Sequence, residues 1–291
     1  MRARHGVLGV GVALGVLGVA GGVRAQEAPV TTRTMALGGG TYGAAMSTSG
    51  VYANPGAMGL ARVYHVDSAV LYQPNLSRWA FGSTVVDTTR RIGAGLSYNY
   101  GTIGGDDRTS HDARLALSAS ITEGLAVGVT GRYMSHSGAG AADGQPGVAY
   151  DGFTVDAGLA LRPVSFLSLG VTGLSLTNPG TRLSPRALGA GVGVYPAESL
   201  GMVADAYWDL HDVEQPRMRW SGGVELLLAR APLRLGYTYD ETRGDRAVHL
   251  VTAGIGYIDP SFAVEAALRQ EVSGGNDTTI LLNLRYFMRM N

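Results

Sequence analysis

The feature that most constrains the fold is a unit of about ten residues that repeats from Val63 to the C-terminus. In each unit, apolar residues alternate with small or polar ones, and a turn signal ends the unit. A period of two places successive side chains on opposite faces of a β-strand. Turn-separated segments of this kind are typical of transmembrane β-strands, which need ~9–11 residues to cross a bilayer. The pattern predicts an all-β fold with no helix of useful length.

We predict strands over residues 63–72, 78–87, 91–100, 109–120, 123–135, 150–162, 165–176, 184–195, 198–209, 217–228, 231–240, 246–258, 261–272 and 277–288. Short and longer connections alternate along this series. Tight turns such as Pro163-Val164 and Asp259-Pro260 alternate with loops such as 101–108 and 136–149. Outer-membrane barrels have short periplasmic turns and longer outside loops, so the alternation predicts that both termini are periplasmic.

The two faces of the predicted strands differ in polarity. Leu159 and Leu161, for example, alternate with Asp156 and Arg162. A soluble β-sandwich would show the same alternation with its apolar face inward. The aromatic residues favour a barrel because most lie near strand ends, where two interfacial girdles would place them. We therefore predict a 14-stranded antiparallel transmembrane β-barrel with its polar face toward the lumen.

The first 25 residues are typical of a secretory signal peptide. Arg2 and Arg4 precede an apolar run from Gly6 to Gly22, and cleavage is expected after Ala25. The chain has no Cys, which excludes a lipoprotein cysteine, a disulfide framework and a thiolate metal site. Its 44 Gly suit strands that bend around a closed sheet. We expect export to the outer membrane of a Gram-negative bacterium.

Residues 26–62 fit neither the leader nor the strand pattern, and we predict that they form a plug inside the barrel. Gly38-Gly39-Gly40 permits close backbone approach and positive φ, and Asn54-Pro55 predicts a turn just before the first strand. A barrel of this strand number is too wide for its own side chains to fill. The predicted organisation is signal peptide 1–25, plug 26–62 and barrel 63–291.

This segment resembles the N-terminal hatch of the FadL/PorV superfamily of outer-membrane barrels. The resemblance rests on Ala36-Leu37-Gly38-Gly39, Tyr52-Ala53-Asn54-Pro55 and Gly59-Leu60-Ala61, with Gly56 where the family usually has Ala. It implies that the segment enters the lumen. It also implies either transport of hydrophobic small molecules or, as in PorV-like members, partnership in secretion or surface attachment of other proteins.

The predicted lumen face carries nearly balanced charges. The residues are Arg114, Arg132, Asp156, Arg162, Asp205, Arg219, Glu225, Arg234, Asp240, Glu265, Arg269 and Arg285. An ion-selective pore would favour one sign, so the mixture favours a salt-bridged network that holds plug and barrel together. A polar track for solutes is the alternative.

No constellation predicts an enzyme. Asp106-Asp107 and His211-Asp212 lie in predicted outside loops, but adjacent residues in an extended chain project to opposite faces, so neither pair is expected to activate water. No cluster has metal-ligand spacing, and no cofactor is expected. The chain has no basic stripe, which argues against nucleic acid.

Three functions remain open: a FadL-like transporter of hydrophobic small molecules, a PorV-like partner of secreted proteins, and a general porin or structural barrel. The predicted loops are short, and this weakens the case for a lipid substrate. The expected partners are outer-membrane lipid and the barrel-assembly machinery, for which Phe287 near the C-terminus would supply the signal.

Overall fold

The computed structural model describes residues 31–103, 108–137, 150–177, 184–211, 214–243 and 246–288. The predicted signal peptide, residues 1–25, and the start of the predicted plug, residues 26–30, lie outside the described residues. Across the described ranges, no helix has the length and apolarity needed to span a bilayer.

Fourteen strands account for most of the described chain, and each predicted strand matches one of them to within three residues at either end. A single 3-10 turn, Pro74–Leu76, follows the first strand. The strands are β1 (Tyr64–Gln73), β2 (Arg78–Asp87), β3 (Ile92–Ile103), β4 (Thr109–Ser120), β5 (Leu125–Ser137), β6 (Tyr150–Val164), β7 (Leu167–Leu174), β8 (Ala187–Ala197), β9 (Leu200–Asp209), β10 (Arg217–Leu228), β11 (Ala231–Asp240), β12 (Val248–Ile258), β13 (Phe262–Glu271) and β14 (Thr278–Phe287).

The sheet closes on itself. Every strand pairs antiparallel with its neighbours in sequence, and β1 pairs with β14, where Ser68 lies opposite Leu284 and Val70 opposite Leu282. A closed sheet has no free edge, which rules out the sandwich alternative. The prediction of a closed 14-stranded antiparallel barrel is confirmed. We call the end where β1 begins and β14 ends the terminal end, and the opposite end the loop end.

The two faces of the barrel have opposite chemistry. Large apolar side chains lie on the outside, with Leu96, Leu235 and Leu282 at 60%, 66% and 54% exposure. Charged side chains such as Arg114 and Glu265 point inward and are buried. This polarity is the reverse of that of a soluble protein, whose apolar side chains face its core.

Between residue 31 and the first strand the structure has three short helices, which the strand pattern did not predict: α1 (Thr32–Ala36), α2 (Thr48–Tyr52) and α3 (Pro55–Met58). Asn54-Pro55, where a turn is predicted, begins the single helical turn α3. The Asn54 side chain accepts a hydrogen bond from the Gly56 N–H, and proline at the first helical position has no N–H to satisfy.

Candidate functional site: the barrel lumen

The N-terminal segment, residues 31–62, contacts the barrel wall on facing sides. Helix α1 packs against β11–β14, α2 against β2–β4 and α3 against β4–β7. In a closed ring of 14 strands, β4 and β11 are seven strands apart and lie opposite each other. Side chains along the segment, including Met35, Leu37 and Met58, are almost completely buried. The segment therefore lies inside the barrel.

Asp205 on β9 holds the middle of the N-terminal segment. Its carboxylate accepts a hydrogen bond from the Thr41 N–H at 2.8 Å and from the Gly43 N–H at 3.3 Å. Thr41 has a φ of 93°, a left-handed conformation that turns its N–H toward this carboxylate. On the neighbouring wall, the Ser168 hydroxyl donates to the Gly43 carbonyl at 2.7 Å. Both polar groups of the Gly43 backbone are thus satisfied by the barrel.

The N-terminal segment lies in direct contact with the backbone of the wall. A Cβ at Gly43 would lie 2.2 Å from the Gly191 carbonyl carbon, and a Cβ at Gly170 would lie 2.1 Å from the Tyr42 carbonyl oxygen. Only glycine permits such an approach. We define the glycine bed as the barrel glycines at which a Cβ would lie less than 3.0 Å from an atom of the N-terminal segment: Gly95, Gly128, Gly158, Gly170, Gly189, Gly191, Gly223, Gly236 and Gly254.

The predicted plug glycines differ from one another in their surroundings. Gly38 and Gly39 have φ values of 94° and 89°, and the Gly38 carbonyl accepts a hydrogen bond from the Thr238 hydroxyl. A Cβ at Gly40 would clash with the Ser221 hydroxyl at 2.4 Å, whereas one at Gly39 would meet nothing within 4 Å. Glycine is therefore needed at Gly38 and Gly40 because a larger residue would clash with the wall, and at Gly39 only because of its positive φ.

Arg33 ties α1 to the wall. Its guanidinium lies 3.1 Å from the Glu225 carboxylate and donates to the Ala44 carbonyl at 2.9 Å. Burial by itself lowers the pKa of Arg33, but the Glu225 carboxylate outweighs it and holds that pKa above its ordinary value. Arg234 continues the chain of ion pairs by contacting both Glu225 and Glu265 at 2.5 Å.

Asn54 and Tyr42 join two parts of the N-terminal segment to the wall. The Asn54 amide donates to the Tyr42 carbonyl at 2.9 Å and to the Leu159 carbonyl of β6 at 3.0 Å. The Tyr42 hydroxyl accepts a hydrogen bond from Arg219 at 3.0 Å. The Arg219 guanidinium also lies 4.6 Å from the centroid of the Tyr207 ring. Burial raises the pKa of Tyr42, so the side chain stays a neutral phenol.

A second polar cluster joins α2 to β1. The Ser47 hydroxyl lies 2.8 Å from His65 Nε2, and Asp67 contacts the same nitrogen at 3.4 Å. Asp67 also pairs with Arg285 at 2.8 Å. In a Ser-His-Asp triad the carboxylate and the serine must contact different ring nitrogens so that the imidazole relays a proton between them. Here the Ser47 hydroxyl also lies 3.2 Å from Nδ1, but its shorter contact is with Nε2, the nitrogen that Thr48 and Asp67 contact. We therefore interpret the cluster as an attachment of α2 to the wall.

The other predicted lumen charges lie in smaller groups. Arg114 and Arg132 share Asp112 at 2.7 and 2.6 Å, and Arg114 also stacks on Tyr52 of α2, 4.9 Å from the ring centroid. The Asp156 carboxylate accepts a hydrogen bond from a backbone N–H of the chain between β7 and β8 at 2.7 Å. These groups hold neighbouring strands to one another as well as to the N-terminal segment.

Three predicted residues lie toward the ends of the barrel. Asp240 pairs with Arg243 at 3.0 Å, and Arg269 donates to Thr279 at 2.8 Å, both near the loop end. Arg162 is half-buried at the end of β6, and its guanidinium has no ion pair among the described residues. The structure thus joins Glu225, Arg234, Glu265 and Arg285 in one line of ion pairs and places the other predicted residues in smaller groups.

Sequence reasoning missed several residues that carry the contacts to the N-terminal segment. Arg33, Thr41, Tyr42 and Ser168 gave no local signal, because their partners are more than a hundred residues away or are backbone atoms. Asp112, by contrast, could have been predicted from the sequence, because it is two residues from Arg114 and therefore lies on the same face of the strand. The glycine bed could have been found by asking which glycines alternate into the lumen.

The structure adds nothing that points to a metal centre. Within the described ranges, no three His, Asp or Glu side chains converge as metal ligands would. Of the loop pairs considered for hydrolysis, Asp106-Asp107 and Asp212 lie outside the described residues.

No protein-family model matches the chain, and no curated protein matches it in sequence. Solved structures do match it in fold. The CymD monoaromatic hydrocarbon channel is 11% identical with a TM-score of 0.63, covering 90% of this chain and 98% of its own. A Pseudomonas aeruginosa FadL homologue is 14% identical with a TM-score of 0.63, covering 91% and 99%. The toluene transporter TodX of P. putida is 12% identical with a TM-score of 0.64, covering 89% and 98%. The resemblance to FadL-type barrels is confirmed at the level of the fold.

Proposed function

We propose that this chain, which has the fold of the FadL-type channels, is an outer-membrane channel for small hydrophobic molecules. In this proposal the N-terminal segment closes the lumen at rest and acts as the predicted plug. One observation carries the proposal: in a barrel of this fold, a single segment is tied by hydrogen bonds and ion pairs to facing walls of the lumen.

The outer surface supports membrane insertion. Its apolar side chains would be unstable in water, whereas a bilayer solvates them, and the buried inward charges avoid the hydrocarbon. Outer-membrane lipid is therefore the proposed surrounding, with the termini on the periplasmic side, signal peptide 1–25 directing export and the barrel-assembly machinery inserting the chain.

The contacts of the N-terminal segment support closure that can be reversed. Its helices have five, five and four residues, far below the length that is stable in isolation, so their structure depends on the wall. Much of that dependence is polar, through Asp205, Glu225 and Ser168. Water can replace such contacts when the segment leaves, so displacement costs less than exposing an equal apolar area.

Two observations support the proposed substrate class, the names of structurally similar channels and the charges in the lumen. CymD and TodX are named for monoaromatic hydrocarbons and toluene. The lumen charges of this chain are largely paired with opposite charges, which leaves no field of one sign to select an ion. An uncharged, apolar solute fits such a channel better than an ion does.

The test compares the intact protein with a deletion of residues 32–58, both reconstituted in planar bilayers. We expect low conductance from the intact barrel and steady conductance from the deletion variant. In whole cells lacking other channels of this kind, only the intact protein should take up radiolabelled toluene faster than a polar solute of equal size. Gly39→Ala, whose methyl group meets nothing within 4 Å and whose cost is limited to the strain of a positive φ, is the control and should conduct as little as the intact protein.

Large steady conductance from the intact protein would refute closure and leave a general porin. If both forms are closed and neither takes up toluene, the transport proposal fails. The PorV-like hypothesis, partnership with secreted proteins, would then take its place.

A further inference from the structure

Two hairpins carry the same arrangement of tyrosine and histidine side chains at the loop end, each with an arginine three residues before the histidine in sequence. One lies on β3 and β4 and the other on β11 and β12. The sequence motif is Tyr-x-Tyr at the end of one strand followed by Asp-Arg-x-x-His at the start of the next: Tyr98, Tyr100, Asp107, Arg108 and His111 in the first copy, and Tyr237, Tyr239, Asp245, Arg246 and His249 in the second. Asp107 and Asp245 lie outside the described residues.

In the first copy, the Tyr98 hydroxyl lies 2.7 Å from His111 Nδ1. Tyr100 is directly opposite His111 in the strand register, and the centroids of their rings are 5.2 Å apart. The imidazole thus contacts two tyrosines, one through its Nδ1 atom and one through a tilted contact between the rings. Tyr98 is 51% exposed on the outer surface.

The second copy has the same geometry. The Tyr237 hydroxyl lies 2.5 Å from His249 Nδ1, Tyr239 is directly opposite His249, and their ring centroids are 5.3 Å apart. Tyr237 is 46% exposed, and Arg246, three residues before His249, is exposed as well. Two independent hairpins have therefore reached one arrangement, which argues for a common ligand.

Other hairpins contribute tyrosines to the same level of the outer surface without a paired histidine. At the β5–β6 hairpin, Tyr133 donates to the Asp151 carboxylate at 3.0 Å, so the same level of the outer surface carries a negative partner there. At the β1–β2 hairpin, Tyr72 stacks on Trp79 with ring centroids 4.3 Å apart. The combination of Tyr-x-Tyr with Asp-Arg-x-x-His occurs in the sequence only at the two repeated hairpins.

Each cluster offers hydrogen-bond donors to the surroundings. If the tyrosine hydroxyl donates to Nδ1, the neutral histidine carries its proton on Nε2. If Nδ1 donates instead, the hydroxyl proton is free to donate to another group. In either tautomer, one N–H or O–H group of the Tyr–His pair is left to donate a hydrogen bond to a ligand. An arginine stands three residues before each histidine, just ahead of the strand, and the geometry of a guanidinium suits phosphate. The tyrosines place the cluster at the membrane–water boundary.

We propose that both clusters bind the phosphate of a lipid headgroup in the membrane leaflet at the loop end. The inference rests on the membrane insertion proposed above, but it does not depend on transport. The β3 and β11 strands are eight strands apart in a ring of 14, so the two sites lie on nearly opposite sides and one barrel binds two lipids.

The test is native mass spectrometry of the intact folded barrel in detergent, with phosphatidic acid as the probe and diacylglycerol as its phosphate-free counterpart. We expect two phosphatidic acid molecules retained per barrel and no diacylglycerol. His111→Ala and His249→Ala should each remove one lipid, and the double variant should lower retention at least tenfold. Tyr98→Phe and Tyr237→Phe keep the rings and should weaken retention severalfold.

Tyr133→Phe at the third hairpin is the matched control and should leave retention unchanged. Equal retention of both probes, or full retention by the folded double variant, would overturn the proposal. If inorganic phosphate at millimolar concentration displaces the lipid completely, the sites recognise free phosphate and the lipid assignment is wrong. A barrel that binds phosphatidic acid but takes up no toluene would refute the proposed transport and leave this inference standing.

Discussion

Gly43→Ala is the sharpest test of how the N-terminal segment is held in the lumen. The new methyl carbon would lie 2.2 Å from Gly191, whereas ordinary contacts begin at 3.4 Å. Because the opposing atoms belong to the backbone of a paired strand, the wall cannot move aside, and the segment must retreat by about 1.2 Å.

That retreat breaks the hydrogen bonds around Gly43. The 2.8 Å contact from Thr41 to Asp205 and the 2.7 Å contact from Ser168 would lengthen beyond hydrogen-bonding distance. A hydrogen bond to a carboxylate contributes ~1.5–3 kcal/mol and a neutral one ~1 kcal/mol. With the second Asp205 contact, the sum is about 4–7 kcal/mol, of which partial relaxation should leave about 4 kcal/mol.

The assay is hydrogen exchange at the Thr41 amide in the reconstituted barrel. A loss of about 4 kcal/mol lowers protection roughly a thousandfold, since each 1.4 kcal/mol is a factor of ten. Single-channel recording should show the same variant open for longer. Gly39→Ala is the control, because its cost is limited to the strain of a positive φ, about 1–2 kcal/mol. Equal protection in Gly43→Ala and the wild type would show that the close approach does not hold the segment.

Three further substitutions test separate contacts. Asp205→Ala leaves two buried N–H groups without an acceptor and should destabilise the N-terminal segment by about 3 kcal/mol, whereas Asp205→Asn keeps one acceptor and should lose about half, as measured by exchange at Thr41. Leu282→Arg on the outer face should cost about 2–4 kcal/mol in urea unfolding from vesicles, and Asn283→Arg, facing the lumen, much less, so equal costs would contradict the face assignment. Arg33→Ala should cost about 1–3 kcal/mol of local stability and speed protease cleavage after residue 31, while unchanged cleavage would show that its ion pair contributes nothing.

Local pattern was enough to place the strands and their faces. A strand that separates lipid from a polar interior must alternate, and each turn must break that alternation, so both signals lie within about ten residues of each other. The strand from Thr109 to Ser120 was predicted with the bounds that the structure has. The outward position of Leu282 and the inward one of Asn283 also follow from the alternation alone.

The helices of the N-terminal segment were not predictable in the same way. Segments of four or five residues carry no periodic signal and are unstable alone, so their conformation is imposed by the surfaces around them. The cap of α3 at Asn54 was visible as an Asn-Pro pair, but such a pair begins a turn as readily as a helix. Contact with the wall decided between the two.

The sequence by itself determined the number of strands, their polarity and the presence of a segment without strand pattern, because each depends on neighbouring residues. Only the tertiary structure decided what the segment touches. Thr41 contacts Asp205, which is 164 positions away in sequence. Gly43 contacts Gly191 because closure of the barrel places β8 beside the N-terminal segment. Such contacts are set by strand register and closure, which are properties of the whole ring, and no local pattern of residues encodes them.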